Sequence, residues 1–146
     1  MKHSMWRDRK TQKRYQEHVS KKPVDAPCEF CILKPGDGQV LKDIGAFWLV
    51  NNIFPYTIWD TFYVDEHLMV IPKRHVDSIG RFTDEELQAY GKLVADYEDS
   101  GYSVYGRAAN NTAKSVAHQH THLIKISNRR VRILIFFDRF NFAMFR

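Results

Sequence analysis

The 146-residue sequence lacks three features that would place it in a special class of protein. It has no run of about 18 apolar residues, so no segment is predicted to span a membrane. Its first 22 residues contain no apolar stretch of the kind that a secretory signal requires, and its two cysteines are too few for a disulfide framework. We therefore expect a cytoplasmic protein with reduced cysteines, in which a Cys-x-x-Cys pair indicates metal or redox chemistry.

The composition is that of one folded domain, because 44% of the residues are hydrophobic and 14% are aromatic. The net charge of +5 is unevenly distributed: residues 1–22 carry +6, residues 23–128 carry −5 and residues 129–146 carry +4. A basic terminus can bind nucleic acid weakly and without sequence preference, or it can be an ordinary solvated surface. Both interpretations stay open at this point.

Local patterns predict an α+β fold built on an antiparallel sheet. Residues 6–20 are polar nearly all round and predict a short surface helix, and Thr83 with Glu86 forms the capping box of one long helix that ends at Gly101. Residues 56–66 are predicted to be a connection. Runs of β-branched and aromatic residues predict about five strands, at 45–54, 67–71, 102–108, 116–126 and 131–137.

Three alternating histidines are the main chemical signal. His118, His120 and His122 lie within a predicted strand, where every second side chain projects from the same face, so we expect the three imidazoles to lie together. Imidazoles suit metal binding, nucleophilic attack and acid–base work near neutral pH, and Ser115 just before them adds a hydroxyl. The alternative is a polar sheet face that merely happens to contain histidine.

Cys28 and Cys31 form a second chemical signal. A Cys-x-x-Cys turn supplies two thiolates, which is half of a tetrahedral zinc site. The spacing does not identify the other two ligands, because no Cys or His pair follows at the distance found in a compact zinc finger. A redox pair and two unliganded cysteines are the alternatives, and the sequence around the pair lacks the βαβ pattern of thioredoxin-like proteins.

Two longer motifs resemble those of the histidine-triad (HIT) superfamily of nucleotide hydrolases and transferases. They are KSVAHQHTHLI at 114–124 and HLMVIPKRHV at 67–76. The resemblance implies a HIT-like fold with one long helix and a short N-terminal helix. It covers about residues 28–126, which we expect to be the HIT domain, preceded by a basic extension over residues 1–27 and followed by a Phe-rich strand extension over residues 127–146.

The resemblance also implies an activity. In such enzymes the residue corresponding to His120 attacks the α-phosphate of a nucleotide conjugate and forms a covalent nucleotidyl-histidine. His122 then contacts the phosphate oxygens, Ser115 hydrogen-bonds the phosphate or the leaving atom, and Asn52 lies where the family contacts the ribose. Nucleotide phosphoramidates and dinucleoside polyphosphates are substrates of this class. The alternative is a HIT module that binds nucleotide or nucleic acid without turnover.

The resemblance to bacterial, zinc-containing members of the superfamily implies a structural Zn²⁺ and a homodimer. The implied ligands are Cys28, Cys31, His75 and His118. HIT proteins are commonly two-fold dimers whose C-terminal segments reach the neighbouring active site. The Phe-rich C-terminus is accordingly expected to be either a core strand or a dimer contact.

The sequence departs from the family pattern around the expected phosphate site. Lys114 precedes Ser115 where Gln is usual, which predicts a positive charge near the nucleotide. Without a gap, the position of the usual pocket Asn is taken by Arg107. Asn110 or its neighbour Asn111 could instead supply the amide from the loop, and Asn110 is the residue we expect to bind nucleotide. The base preference, the leaving group and the choice between hydrolysis and transfer are therefore left open by the sequence.

Overall fold

The computed structural model describes residues 5–23, 25–131, 134–138 and 141–145, the last two ranges as backbone only. The elements along the chain are β1 (Met5–Trp6), α1 (Arg9–Lys21), β2 (Val40–Ile44), β3 (Phe47–Asn51), β4 (Ile58–Trp59), β5 (Phe62–Pro72), a 3₁₀ helix (Ile79–Arg81), α2 (Asp84–Asp99), β6 (Ser103–Gly106), β7 (Thr121–Arg130), β8 (Leu134–Asp138) and β9 (Asn141–Phe145). The predicted α+β fold with an antiparallel sheet is confirmed.

The main sheet has five principal strands in the order β2-β3-β5-β7-β6, all antiparallel. β4 pairs with the start of β5, and β1 pairs with β4, which gives seven strands in this sheet. β1, β2 and β4 were not predicted, and the strand predicted at 131–137 corresponds to β8, which lies outside this sheet. The predicted connection over residues 56–66 is wrong at its end. β5 already begins at Phe62, and Val64 and Glu66 pair with β7. The pairing is interrupted by bulges, and the side chains of Asp65 and Glu66 are exposed.

Two hydrophobic clusters cover the two faces of the central strands. Phe47 and Leu49 of β3 pack in one cluster with Leu93 of α2, whereas Trp48 and Val50 pack in the other. β3 is therefore buried on both faces, which explains why its sequence FWLV shows no polar alternation. The second cluster borders the cavity described below.

The two helices begin and end close to where the sequence indicates. The Thr83 hydroxyl accepts from the N–H of Glu86 (3.2 Å) and the Glu86 carboxylate accepts from the N–H of Thr83 (2.9 Å), so the capping box is confirmed. Gly101 follows α2 with φ = +86°, a conformation that favours glycine. In the described residues neither helix combines the length and hydropathy needed to cross a lipid bilayer.

β8 and β9 form a two-stranded antiparallel sheet separate from the main one. The side chains of residues 132–146 lie outside the described part of the chain. The dimer contact expected for this segment therefore stays a prediction.

Candidate active site and metal centre

The three histidines of the triad do not share one strand. β7 begins only at Thr121, so the predicted strand over residues 116–120 is wrong. The N–H of Gln119 donates to the carbonyl of Val76 (2.6 Å), which holds this segment as a loop against the turn that follows β5. As a result the triad is divided between two sites: His118 faces the cysteines, whereas the next two histidines line a cavity.

The implied metal ligands come together in space. The ligand atoms of Cys28, Cys31, His75 and His118 all lie within 4.8 Å of one another. The Cys31 sulfur is 3.1 Å from Nδ1 of His75, and Nδ1 of His118 is 3.5 Å from both sulfurs. The four residues are therefore grouped closely enough to bind one metal ion.

The donor set fits a thiophilic divalent cation. Nε2 of His118 donates to the carbonyl of Pro72 (2.8 Å), so its proton is on Nε2 and its Nδ1 lone pair faces the sulfurs. Burial and the neighbouring Cys28 sulfur raise the pKa of the Cys31 thiol. A cation between the ligands would reverse that effect, since it stabilises thiolates directly.

A single cavity contains most of the predicted catalytic and nucleotide-binding residues. His120, His122, Ser115 and Asn52 all line it, together with Arg107. The rest of its wall is formed by Phe30, Gln39, Ile53, Phe54, Tyr56, Met69, Ala113 and Val116, and by residues Arg7, Tyr15, His18, Val19, Lys22 and Glu29 from or beside the N-terminal segment. Aromatic and aliphatic side chains next to convergent polar groups are typical of a small-molecule site.

Lys114 and Asn110 lie elsewhere. The Lys114 ammonium donates to the carbonyl of Asp77 (2.7 Å) and lies 3.4 Å from the side-chain oxygen of Gln119. Asn110 is exposed and is not part of the cavity wall. Of the two residues considered for the usual pocket Asn, it is Arg107 that reaches the cavity.

His120 is held with one ring nitrogen available. Its Nδ1 donates to the carbonyl of His118 (2.8 Å), because a carbonyl can only accept. Burial lowers the pKa of His120, with a smaller contribution from Lys114 and Arg107, so the ring is neutral near pH 7. A neutral imidazole protonated at Nδ1 carries its lone pair on Nε2, which is the form required of a nucleophile.

His122 is oriented by His67 of β5, a residue to which the sequence analysis assigned no function. The N–H of Tyr56 donates to Nδ1 of His67 (3.0 Å), so the proton of His67 lies on Nε2. That nitrogen is 2.9 Å from Nδ1 of His122 and donates to it, which places the remaining His122 proton on Nε2. Burial lowers the pKa of His67 to about 3, assisted by the charge of Arg7, and burial also holds the pKa of His122 well below its usual value.

Asn52 is fixed at the cavity by its own amide. Its side-chain oxygen accepts from the N–H of Phe54 (2.9 Å), and its Nδ2 lies 3.1 Å from Nε2 of His67. Because Nε2 of His67 donates to His122 and cannot accept, it takes no hydrogen bond from the Asn52 amide. Within the described residues the Asn52 N–H donors therefore stay available to a hydroxyl or phosphate in the cavity. Its position on the cavity wall suits the ribose contact that the family resemblance implies.

Two contributions to the site were missed from the sequence. His67 is one of the residues of the 67–76 motif, and its position two residues before the cavity residue Met69 on one strand is the signal that places both on the same face. The N-terminal helix is a surface helix with no buried residue, as predicted, but its contribution to the cavity wall was not predicted. Its residues Tyr15, His18 and Val19 recur at helical spacing, and that spacing is the signal for one face directed at the cavity.

Comparison with known proteins gives a consistent result for the fold. No family model matches the chain. "Protein hit" of Bacillus subtilis (strain 168) is 26% identical over 110 residues, which cover 66% of this chain and 69% of that protein.

Three solved structures resemble the chain over most of their length. They are a HIT family hydrolase from Legionella pneumophila Philadelphia 1 (TM-score 0.52, 20% identity, 71% of this chain and 95% of that one), a HIT family hydrolase from Clostridium thermocellum (0.51, 18%, 77% and 100%) and a histidine triad protein from Clostridium difficile (0.50, 19%, 76% and 97%). At these identities the likeness concerns the fold. The α+β architecture of this chain is therefore the HIT-like fold.

Proposed function

We propose that this chain is a HIT-family enzyme that hydrolyses or transfers a nucleotidyl group at the α-phosphate of a nucleotide conjugate. The observation that carries the proposal is the hydrogen bond from Nδ1 of His120 to the carbonyl of His118, at the wall of a cavity. It leaves the Nε2 lone pair of a neutral imidazole for attack on phosphorus. The HIT-like fold and the names of its structural neighbours agree with this chemistry.

The proposed reaction has two balanced steps. The His120 Nε2 lone pair forms a bond to the α-phosphorus, and the bond from phosphorus to the leaving group breaks with its electrons on the leaving group, which takes a proton from water. Water or another acceptor hydroxyl then attacks phosphorus, loses its proton and returns the electron pair to Nε2. The Nε2–H of His122 and the Ser115 hydroxyl donate to the phosphoryl oxygens, where charge develops.

We propose that the metal centre binds structural zinc. Two thiolates and two imidazoles are a common zinc ligand set, and the ion would link the Cys28–Cys31 turn to the loop that presents His120. When bound, zinc would cross-link the two segments by coordination and would take no part in the reaction. Reduced cysteines are required for it, which supports a cytoplasmic location.

A substrate panel tests the activity. Purified, zinc-replete protein is incubated with adenylylated and guanylylated phosphoramidates, dinucleoside polyphosphates and nucleotide-sugar-like conjugates, and the products are identified by chromatography and mass spectrometry. We expect release of a nucleoside monophosphate, or its transfer to an acceptor, from at least one class. Absence of turnover across the panel would contradict the enzymatic proposal.

The second candidate function is a module that binds nucleotide or nucleic acid without turnover. The basic residues of α1 favour it: Arg9, Lys10, Lys13, Arg14 and Lys21 form an exposed set with Glu17 as the acidic residue of the helix. We expect weak, non-specific RNA binding that falls steeply with salt, because each neutralised phosphate releases counterions. A truncated protein beginning at Pro23 should lose this binding. If it bound RNA as tightly as the full chain, residues 1–22 would not be the RNA-binding segment.

We also propose a homodimer that uses the C-terminal extension, residues 127–146, as its contact. The sequence of this extension supports the proposal, because a strand apolar on both faces requires cover on both. Deletion of residues 138–146 should convert the dimer to a monomer in light scattering. A full-length monomer, or a truncated dimer of normal activity, would contradict this proposal.

A further inference from the structure

The N-terminal segment, residues 5–22, is fixed beside the cavity at both of its ends. At the start, the N–H of Asp8 donates to the Thr57 hydroxyl (2.9 Å), and β1 extends the sheet through β4. At the other end, Nε2 of His18 lies 2.9 Å from the Glu29 carboxylate. The segment is therefore held by the domain on two sides, and its side chains can contribute to a ligand site.

Arg7 is the residue of this segment that is most firmly oriented at the cavity. Its guanidinium lies over the rings of Tyr15 (4.3 Å) and Tyr56 (4.6 Å), and its Nε donates to the carbonyl of Phe54 (2.8 Å). The side chain is half-buried and lines the same cavity as His120. Two aromatic contacts and one hydrogen bond thus fix the position of the charge before any ligand arrives.

In the described part of the chain, the two terminal amino groups of this guanidinium are not used by other residues. Within the described residues, its terminal amino groups make no hydrogen bond, and no carboxylate lies within 4.0 Å of it. Glu29, the acidic residue of the cavity wall, is already engaged with His18 and with Lys22 (3.5 Å). A half-buried, pre-positioned arginine with free planar donors is suited to a phosphate, which accepts two parallel N–H bonds.

Arg7 is also electrostatically close to the reacting groups. Its positive charge adds to burial in lowering the pKa values of His67 and His122, so its field reaches the histidine that faces the phosphate in the proposed reaction and the residue that orients it. Arg107 lowers the pKa of His120 and His122 in the same way, after burial. Arg7 and Arg107 line the same cavity, so an anionic ligand there would be attracted by two guanidinium groups.

We propose that Arg7 is a substrate-binding residue whose terminal amino groups hold an oxygen of the substrate's phosphate group. The proposal rests on the proposed function for the identity of that phosphate. It makes the N-terminal segment a part of the active site, although the segment lies outside the region that resembles the HIT superfamily. Loss of Arg7 should weaken the binding of charged ligands and leave uncharged ones unaffected.

Calorimetric titration with charged and uncharged ligands tests this. AMP and GMP are the charged probes, and adenosine and guanosine are their uncharged counterparts. In Arg7→Met we expect monophosphate affinity to fall by about tenfold to a hundredfold, the range for one lost hydrogen-bonded charge, with nucleoside affinity within about twofold of wild type. Arg7→Lys keeps the charge without the planar donors, so its monophosphate affinity should lie between those of wild type and Arg7→Met.

Arg14→Met is the matched control, since Arg14 also belongs to the segment and lies over an aromatic ring, that of Phe54 (5.8 Å), but is not part of the cavity wall. It should bind all four probes like wild type. Equal loss of nucleotide and nucleoside affinity in Arg7→Met would assign a merely structural role, and unchanged nucleotide affinity, or no monophosphate binding by wild type at millimolar concentration, would overturn the proposal.

The two proposals fail separately. If wild type turns over a panel substrate and Arg7→Met binds monophosphates normally, only the role of Arg7 is wrong. If no substrate is turned over but monophosphate binding depends on Arg7, the site binds phosphate and the enzymatic proposal is wrong.

Discussion

In both the candidate metal centre and the cavity, a backbone carbonyl fixes which ring nitrogen of a histidine carries the proton, but the nitrogen is Nε2 in the first site and Nδ1 in the second. In the candidate metal centre, the carbonyl of Pro72 accepts a hydrogen bond from Nε2–H of His118, so the Nδ1 lone pair of His118 faces the sulfurs. In the cavity, the carbonyl of His118 accepts a hydrogen bond from Nδ1–H of His120, so the Nε2 lone pair of His120 is available to a ligand. A neutral imidazole has one proton, so one backbone acceptor decides which nitrogen can bind metal or attack phosphorus.

The two sites also differ in their exposure to water. Cys31 and His75 are exposed although His118 beside them is fully buried, whereas His120 and His122 are only 7% and 6% exposed. Burial keeps the cavity histidines neutral, whereas the proposed zinc would hold the two cysteines as thiolates. Two neighbouring triad residues can therefore serve separate purposes, and variants in one site should leave the other site's property intact.

The largest expected effect separates the sites at His120. His120→Ala should lower kcat by about 10³-fold or more, as removal of a covalent nucleophile does in other enzymes. Its metal content should equal that of wild type, because the four ligands are untouched. Steady-state kinetics on the best panel substrate and metal analysis check both points. Unchanged kcat would exclude His120 as the nucleophile.

The reverse separation is made at Cys28. Wild-type protein purified without chelator should contain about one zinc per chain, as expected for one four-ligand site. Cys28→Ser should bind zinc more than about tenfold more weakly, since even changes outside the ligand shell cost that much, and should unfold at lower temperature. Atomic absorption and thermal unfolding measure these effects, with His120→Ala as the metal-retaining control. Metal-free wild type would contradict the zinc proposal.

A smaller effect is expected at His67. His67→Leu removes the donor that sets the tautomer of His122, so kcat should fall by about tenfold to a hundredfold, by analogy with other orienting groups. KM and zinc content should stay near wild type, which distinguishes loss of orientation from loss of folding. A raised KM with unchanged kcat would show that His67 acts in binding.

The last expected effect is on the pH dependence of stability. The pKa of His67 is about 3 in the folded protein and near 6.5 when unfolded, so between these values the unfolded chain binds the extra proton. The free energy of unfolding should therefore fall as pH drops from 6.5 toward 3. Urea unfolding across this range should show a shallower fall for His67→Gln than for wild type. Parallel curves would contradict the buried, neutral His67.

Sequence patterns predicted the features of the fold and site that depend on neighbouring residues. The capping box needs only Thr83 and Glu86, which are three positions apart. The four candidate metal ligands were named from the Cys-x-x-Cys pair and from the resemblance to a family. The tautomer of His122 could not be predicted, because it depends on an N–H of Tyr56 reaching His67 across the sheet. The contact between Arg7 and the carbonyl of Phe54 joins residues 47 positions apart and has no local signal.

The loop before β7 was mispredicted for a physical reason. Alternating His, Gln and Thr residues are compatible with a strand, but the N–H of Gln119 pairs with Val76 and the carbonyl of His118 accepts from the side chain of His120. These two bonds replace a strand ladder over that stretch. One of the polar groups that interrupt the strand, the carbonyl of His118, also orients the imidazole of His120.

The proposed bond between His120 and phosphorus can be tested directly. Wild-type protein is quenched during turnover at alkaline pH, where phosphorus–nitrogen bonds survive, then digested and analysed by mass spectrometry. The predicted result is one nucleotidyl group on the peptide fragment assigned to His120, absent from His120→Ala and from the side chains of His118 and His122. Turnover with the nucleotidyl group on any other residue would contradict His120 as the nucleophile.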